Sequence, residues 1–336
     1  MYCDTMFKQV VKIFGLLGIL FMQIILRDVN AEQRFEQQPV YTEVNPGQDA
    51  LLVCKVFNKR GICSWQKDHK PVGTYIRKYE WSGSQETGDC SIWIRSAQID
   101  YDDGSWECQV TASDFHTQDA LSSFPVKLVV RVQPRQPKIE YNQNQVPPGQ
   151  NLTVLHGDVA IIKCISHFGN PPPILKWFLD QNEIVLTRKQ ENMTEVDIPK
   201  TWVAISILEL TISKEHHGKV LRCVAVHETY ATKSSSTEVK LDVMYTPETR
   251  LLGIPTNDIE EFKNSVAIRC VVNANPKANV VWRRQGQNQA ASLQEFLQFT
   301  PILRQHAGYY ICQAKNRAGE SQPAIVQLDV KCKFYI

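Results

Sequence analysis

Six cysteines of this chain stand in three pairs, and each pair encloses a tryptophan at nearly the same distance. Cys54 is followed by Trp65 and closed by Cys108, Cys164 by Trp177 and Cys223, and Cys270 by Trp282 and Cys312. The tryptophan falls 11, 13 and 12 residues after the first cysteine, so one unit occurs three times. Facing β-sheets lie about 10 Å apart. One disulfide spans that gap, and an indole on the neighbouring strand fills the space beside it. Each pair encloses roughly 40 to 60 residues, which in the chain-entropy account makes each bridge worth about 4 kcal/mol. The expected class is all-β, with three tandem sandwiches.

The 336 residues leave room for that arrangement, at roughly 100 per sandwich. A net charge of +2 gives no general attraction to nucleic acid or anionic lipid. The N-terminus reads as a secretory leader over 1–31. Lys8 and Lys12 precede an apolar run, Ile13 to Leu26, and Val29-Asn30-Ala31 offers small residues for cleavage. Those 14 residues would span about 21 Å, short of the roughly 30 Å hydrocarbon core. An uncleaved anchor is the alternative. Ten cysteines in a secreted chain imply an oxidising destination. None has the close CxxC spacing of a zinc site, and no metal or cofactor is expected.

Strand patterns place the units at 32–133, 137–244 and 245–331, with a short tail at 332–336. The first unit carries ALLVCKV (50–56), ICSWQK (62–67), SIWIRS (91–96) and GSWECQVT (104–111). Some two dozen residues separate the tryptophan strand from SIWIRS, enough for an extra edge strand, so this unit reads as variable-like or intermediate. The second has AIIKC (160–164) and VLRCVAV (220–226). The third has the closest paired cysteines and is expected to lack the extra strand. Proline sits in both brief joints, at Pro134 and Pro137 and at Pro247, which limits swing.

Cys63 lies two residues before Trp65, and Cys90 shares the parity of Ile92 and Ile94. Alternation points both inward, predicting a second inter-sheet bridge, Cys63–Cys90; two buried thiols are the alternative. Asp102-Asp103-Gly104-Ser105-Trp106-Glu107-Cys108 occupies the place of a D-x-G-x-Y-x-C corner, with Trp106 where the tyrosine hydroxyl would bond. His216-His217 reads as a solvated turn. Asn151-Leu152-Thr153 and Asn192-Met193-Thr194 are glycosylation sequons. No nucleophile elbow, phosphate loop or HExxH motif is present, so no catalytic residue and no small-molecule substrate are assigned.

The recurring Cys–Trp–Cys unit resembles tandem immunoglobulin-like domains. Trp65-Gln66-Lys67-Asp68, Glu86-Thr87-Gly88-Asp89, Cys108-Gln109-Val110 and Lys214-Glu215-His216-His217 further resemble the nephrin and irregular-chiasm cell-recognition family. Cys63 and Cys90 depart from it, and the chain stops where a fourth domain would begin. A truncated form of a longer receptor and a purpose-made secreted protein both fit that stop. The resemblance implies an extracellular adhesion protein whose first domain binds itself or a related immunoglobulin-superfamily protein. The face would be that of the tryptophan and closing-cysteine strands. Alternation turns Ser64, Gln66, Asp68, Glu107, Gln109, Lys127 and Val129 outward, with Gln66 and Gln109 expected side by side. A soluble binder or decoy for a non-self ligand is the other reading. Cys332 is a candidate for a bond to another chain, and a non-native tail cysteine is the alternative.

Overall fold

The computed structural model describes residues 32–331. The expected leader, and Cys332 with its tail, lie outside the described residues. Strands carry the fold, and the helices among the described residues are single turns such as Ile99–Asp102 and Lys214–His216. Three buried clusters form. One gathers Cys54, Cys63, Cys90, Cys108, Trp65 and Trp106; the others centre on Cys164, Cys223 and Trp177, and on Cys270, Cys312 and Trp282. Disulfides join Cys54–Cys108, Cys63–Cys90, Cys164–Cys223 and Cys270–Cys312, with Cα separations of 6.5, 5.8, 6.4 and 6.4 Å. The described chain divides into two compact units. The first runs to Arg135 and takes in His167–Pro173 and Met193–Val203. The second holds Gln136–Ser166, Ile174–Asn192 and the chain from Ala204 onward.

In the first sandwich one sheet runs in the order Thr42–Val44, Val126–Val130, Gly104–Val110, Cys63–Lys67, Lys70–Val72. The facing sheet is Ala50–Leu52, Ile92–Ile94, Tyr79–Trp81. The stretch expected to hold one extra strand therefore supplies two, Lys70–Val72 on the tryptophan sheet and Tyr79–Trp81 on the other. The burial of Gly104–Val110 alternates strictly, which is the signature of a strand with one face on a core. Its corner is closed by an unexpected atom. The Trp106 indole N–H donates to the Asp102 carbonyl at 2.9 Å, four residues back, as the Tyr310 hydroxyl donates to the His306 carbonyl at 3.1 Å. The tryptophan replaces the tyrosine without loss of the bond. Trp65 Nε1 donates to the Cys90 carbonyl at 2.8 Å, so the second disulfide and the core indole brace one another.

In the second unit, Ser234–Leu252 is one strand of 19 residues. Its first part pairs with Val220–Val226 and its last part with Val266–Asn275, with a register shift between Tyr245 and Glu248. The expected joint at Tyr245-Thr246-Pro247 is thus a bulged strand and not a loop. Proline fits there because a bulge does not require its missing N–H. The third cluster also has a short edge strand, Ala290–Ser292, that its cysteine spacing did not suggest. His216 and His217 are engaged rather than merely solvated: the Nδ1 atoms accept from Ser213 N–H and Val243 N–H, each at 3.2 Å.

Candidate partner-binding face

The tryptophan strand and the closing-cysteine strand are adjacent and antiparallel. Ser64 lies opposite Gln109, Trp65 opposite Cys108, and Gln66 opposite Glu107. Trp65 and Cys108 are buried, while Ser64, Gln66, Glu107 and Gln109 are half-buried on the outer face. Gln66 and Gln109 are therefore diagonal, not side by side as expected. Gln109 instead donates to the Ser122 hydroxyl at 3.2 Å, from the short strand that pairs with it. Lys127 is exposed opposite Ser105. Val129 is buried together with Leu128 and Val130, which corrects the expectation that it faces out. Alternation breaks at this end of the strand, where Asn170 Nδ2 donates to the Val130 carbonyl at 2.9 Å and to Asp103 Oδ2 at 2.7 Å.

Asp68 is exposed, yet its carboxylate works within the chain. It accepts from Ser105 N–H at 2.9 Å and from Lys67 Nζ at 2.5 Å, and its own N–H donates to the Ser105 carbonyl at 2.8 Å. Burial acts to raise its pKa. The Lys67 and Ser105 hydrogen bonds, with the positive charges of Lys67 and Lys127, outweigh that and hold the carboxyl below its usual range. His69 Nδ1 stands 3.6 Å from Glu107 Oε1. The face is thus polar and of mixed sign, a composition suited to a reversible contact rather than an obligate one.

A neighbouring loop was not singled out from the sequence. Residues 112–120 follow the closing-cysteine strand and present Phe115, which is 91% exposed. The loop is held from inside. Asp114 Oδ1 accepts from His116 and Thr117 N–H at 2.7 and 2.9 Å, and Asp119 accepts from both the N–H and the hydroxyl of Ser113. Buried Gln33 ties it further, donating to the Thr111 and Asp119 carbonyls at 2.6 and 2.7 Å while its Oε1 accepts from Gly61 N–H at 3.2 Å. A phenylalanine held out to water on a fixed loop loses little freedom when a partner covers it. The legible signal was Ser113-Asp114-Phe115, an Asx-turn residue directly before an aromatic.

Residues 137–234 match a CD80-like C2-set immunoglobulin domain and residues 252–316 an immunoglobulin domain. The synaptogenesis protein syg-1 of Caenorhabditis elegans is 26% identical over 339 residues, covering 88% of this chain and 45% of that protein. The irregular chiasm C-roughest protein of Drosophila melanogaster is 31% identical over 226 residues, covering 65% of this chain and 28% of that protein. The chain spans less than half the length of these two relatives. A solved complex of Dpr2 Ig1-Ig2 with DIP-Theta Ig1-Ig3 contains a chain that matches at a TM-score of 0.51 and 18% identity, covering 90% of this chain and 100% of that one, a likeness of fold.

Proposed function

From a chain that belongs to the immunoglobulin superfamily and is related to the adhesion and recognition proteins of the nephrin and irregular-chiasm group, we propose an extracellular cell-recognition protein. It engages itself or a related immunoglobulin-superfamily partner through the outer face of the first sandwich, within 32–133. One observation carries the reading. The face holding Ser64, Gln66, Glu107 and Gln109 is half-exposed on strands fixed by two disulfides, beside a loop that offers Phe115.

The energetics suit such a contact. A micromolar complex needs about 8 kcal/mol, within reach of one sheet face of standard interface size. Glutamines that both donate and accept let a patch meet a second copy of itself across a two-fold axis. Many weak contacts between molecules arrayed on membranes then add up through effective concentration. Sedimentation of the purified full chain tests the reading. Reversible self-association, weakened at least about 30-fold in a Q66A/Q109A variant of unchanged stability, supports it. A chain that stays monomeric and captures no surface immunoglobulin protein in a binding screen points instead to a soluble binder of a non-self ligand.

A further inference from the structure

The second unit has an open groove that the proposed binding face does not use. Asn182–Ile184 is the terminal strand of one sheet and Glu191–Thr194 the terminal strand of another, and residues 185–190 connect them. Two adjoining hollows of about 210 and 200 Å³ flank this connection and share Ile184, Val185, Leu186 and Arg188. Val185 is 87% exposed, while Leu186 is half-buried and packs on the core. Terminal strands beside a hollow of mixed polar and apolar lining are templates for unwanted pairing unless something covers them.

A cover can be attached to one of those same edges. Asn192 begins the sequon Asn192-Met193-Thr194 and is exposed. Its Oδ1 accepts from Gln190 Nε2 at 2.8 Å, and Gln190 Oε1 accepts from Leu175 N–H at 2.9 Å. Gln190 and Leu175 both line the groove. One amide therefore links Asn192 to the groove wall, and the Asn192 Nδ2 is the atom that a sugar would join.

We propose that Asn192 carries an N-linked glycan whose first sugar seats in this groove. In its formation, Nδ2 bonds to C1 of an oligosaccharide carried on a polyprenyl diphosphate. The C1–O bond breaks, the diphosphate leaves with the electron pair, and Nδ2 loses a proton. The ring C–H face of the sugar covers Val185 and Leu186, and its hydroxyl and acetamido groups meet Arg188, Thr187 and Glu209, which line the same hollow. The volume of each hollow is of the order of one hexosamine. The other sequon serves as a control. Asn151 lies on Asn151–Leu155, which pairs with the strand at Lys240–Met244, and Thr153 Oγ1 donates to Asp242 Oδ2 at 3.4 Å, away from the groove-lining residues.

The inference rests on the extracellular reading, and the test separates the two. The full chain is secreted from a eukaryotic cell line, its glycopeptides are mapped, and amide hydrogen exchange is followed over 183–190 and 206–210. T194A removes the glycan while keeping Asn192 and its bond to Gln190. Expected is a sugar on Asn192, with exchange in both segments at least about threefold faster in T194A and N192Q, unchanged in N151Q, and still slow after trimming to one N-acetylglucosamine. Failure of secretion with no sugar at either sequon overturns the extracellular reading as well. A bare Asn192 beside an occupied Asn151, or an occupied Asn192 with the same exchange in T194A, overturns the groove alone. Protection that instead grows with protein concentration identifies a second copy as the occupant and also overturns it.

Discussion

Replacing Asp102 with alanine should unfold the first sandwich selectively. Its carboxylate is buried at the corner where the binding face begins, and three donors converge on it: Lys78 Nζ at 2.5 Å, the Tyr79 hydroxyl at 2.7 Å and Gln98 N–H at 2.7 Å. Removing one partner of a buried ion pair costs about 3–5 kcal/mol. The Lys78 side chain keeps 27% of its surface, so water recovers part of the ammonium's hydration and the lower end applies. The tyrosine hydroxyl and the Gln98 amide each lose an acceptor worth about 1 kcal/mol. A total of about 5 kcal/mol lowers the melting temperature of a sandwich this size by about 20–40 °C. Calorimetry of the full chain, with hydrogen exchange of peptides across 92–110 to identify which sandwich melts, reads the effect. Lys78→Met should cost a similar amount, because it leaves the carboxylate without its cation. The double variant K78M/D102A should cost less than the sum of the two single losses, since the two side chains form one interaction. A loss below about 1 kcal/mol in D102A, or strict additivity in the double variant, would refute the assignment of Asp102 as the corner's anchor.

Phe115→Ala should leave the melting temperature unchanged, as the ring touches mainly water, yet weaken partner capture about 30-fold, measured by surface binding of the full chain. Trp106→Phe leaves the Asp102 carbonyl without its donor and opens a space in the core, for a cost of about 2–4 kcal/mol in urea unfolding. Tyr310→Phe, which removes only a half-buried hydroxyl bond, should cost about 1 kcal/mol in the same assay. The 112–120 loop should loosen in acid. The Ser113 hydroxyl, then the Ser113 N–H, hold the Asp119 carboxyl down to about 2 from 3.8. A depressed carboxylate contributes fully above its unfolded value, so ordering of the loop should persist above pH 3.8 and fade as pH falls through about 2. Ring signals of Phe115 that sharpen near neutral pH instead would contradict this.

What could be read from the chain was what covalent spacing and alternation encode. Disulfides need sheets a set distance apart, so Cys–Trp–Cys spacing exposed the sandwiches, and parity placed Cys63 and Cys90 on facing inner surfaces. Outward residues such as Gln66 and Gln109 follow from the same period of two. Pairing register does not. It depends on where two strands start relative to one another, and this put Glu107, not Gln109, opposite Gln66. Val129 escaped alternation because neighbouring segments close over the end of its strand, a tertiary event. Proline at 247 marked a brief, stiffened joint, but not that a strand runs through it; a bulge lets the ladder pass the missing N–H. At Phe115 only the Asx turn before the ring was legible, while the ordering of its loop by Gln33, some 80 residues away in sequence, was not.

When the chain is pulled from its ends, the strand Ser234–Leu252 determines how load crosses from one cysteine-stapled core to the next. Its backbone belongs to both, hydrogen-bonded on one flank to Val220–Val226 and farther along to Val266–Asn275. There is no slack peptide at this crossing to spool out when the ends are tugged. Extension there can begin only by shearing rows of inter-strand bonds together, so this part of the chain should transmit a pull as a stiff tether and yield late.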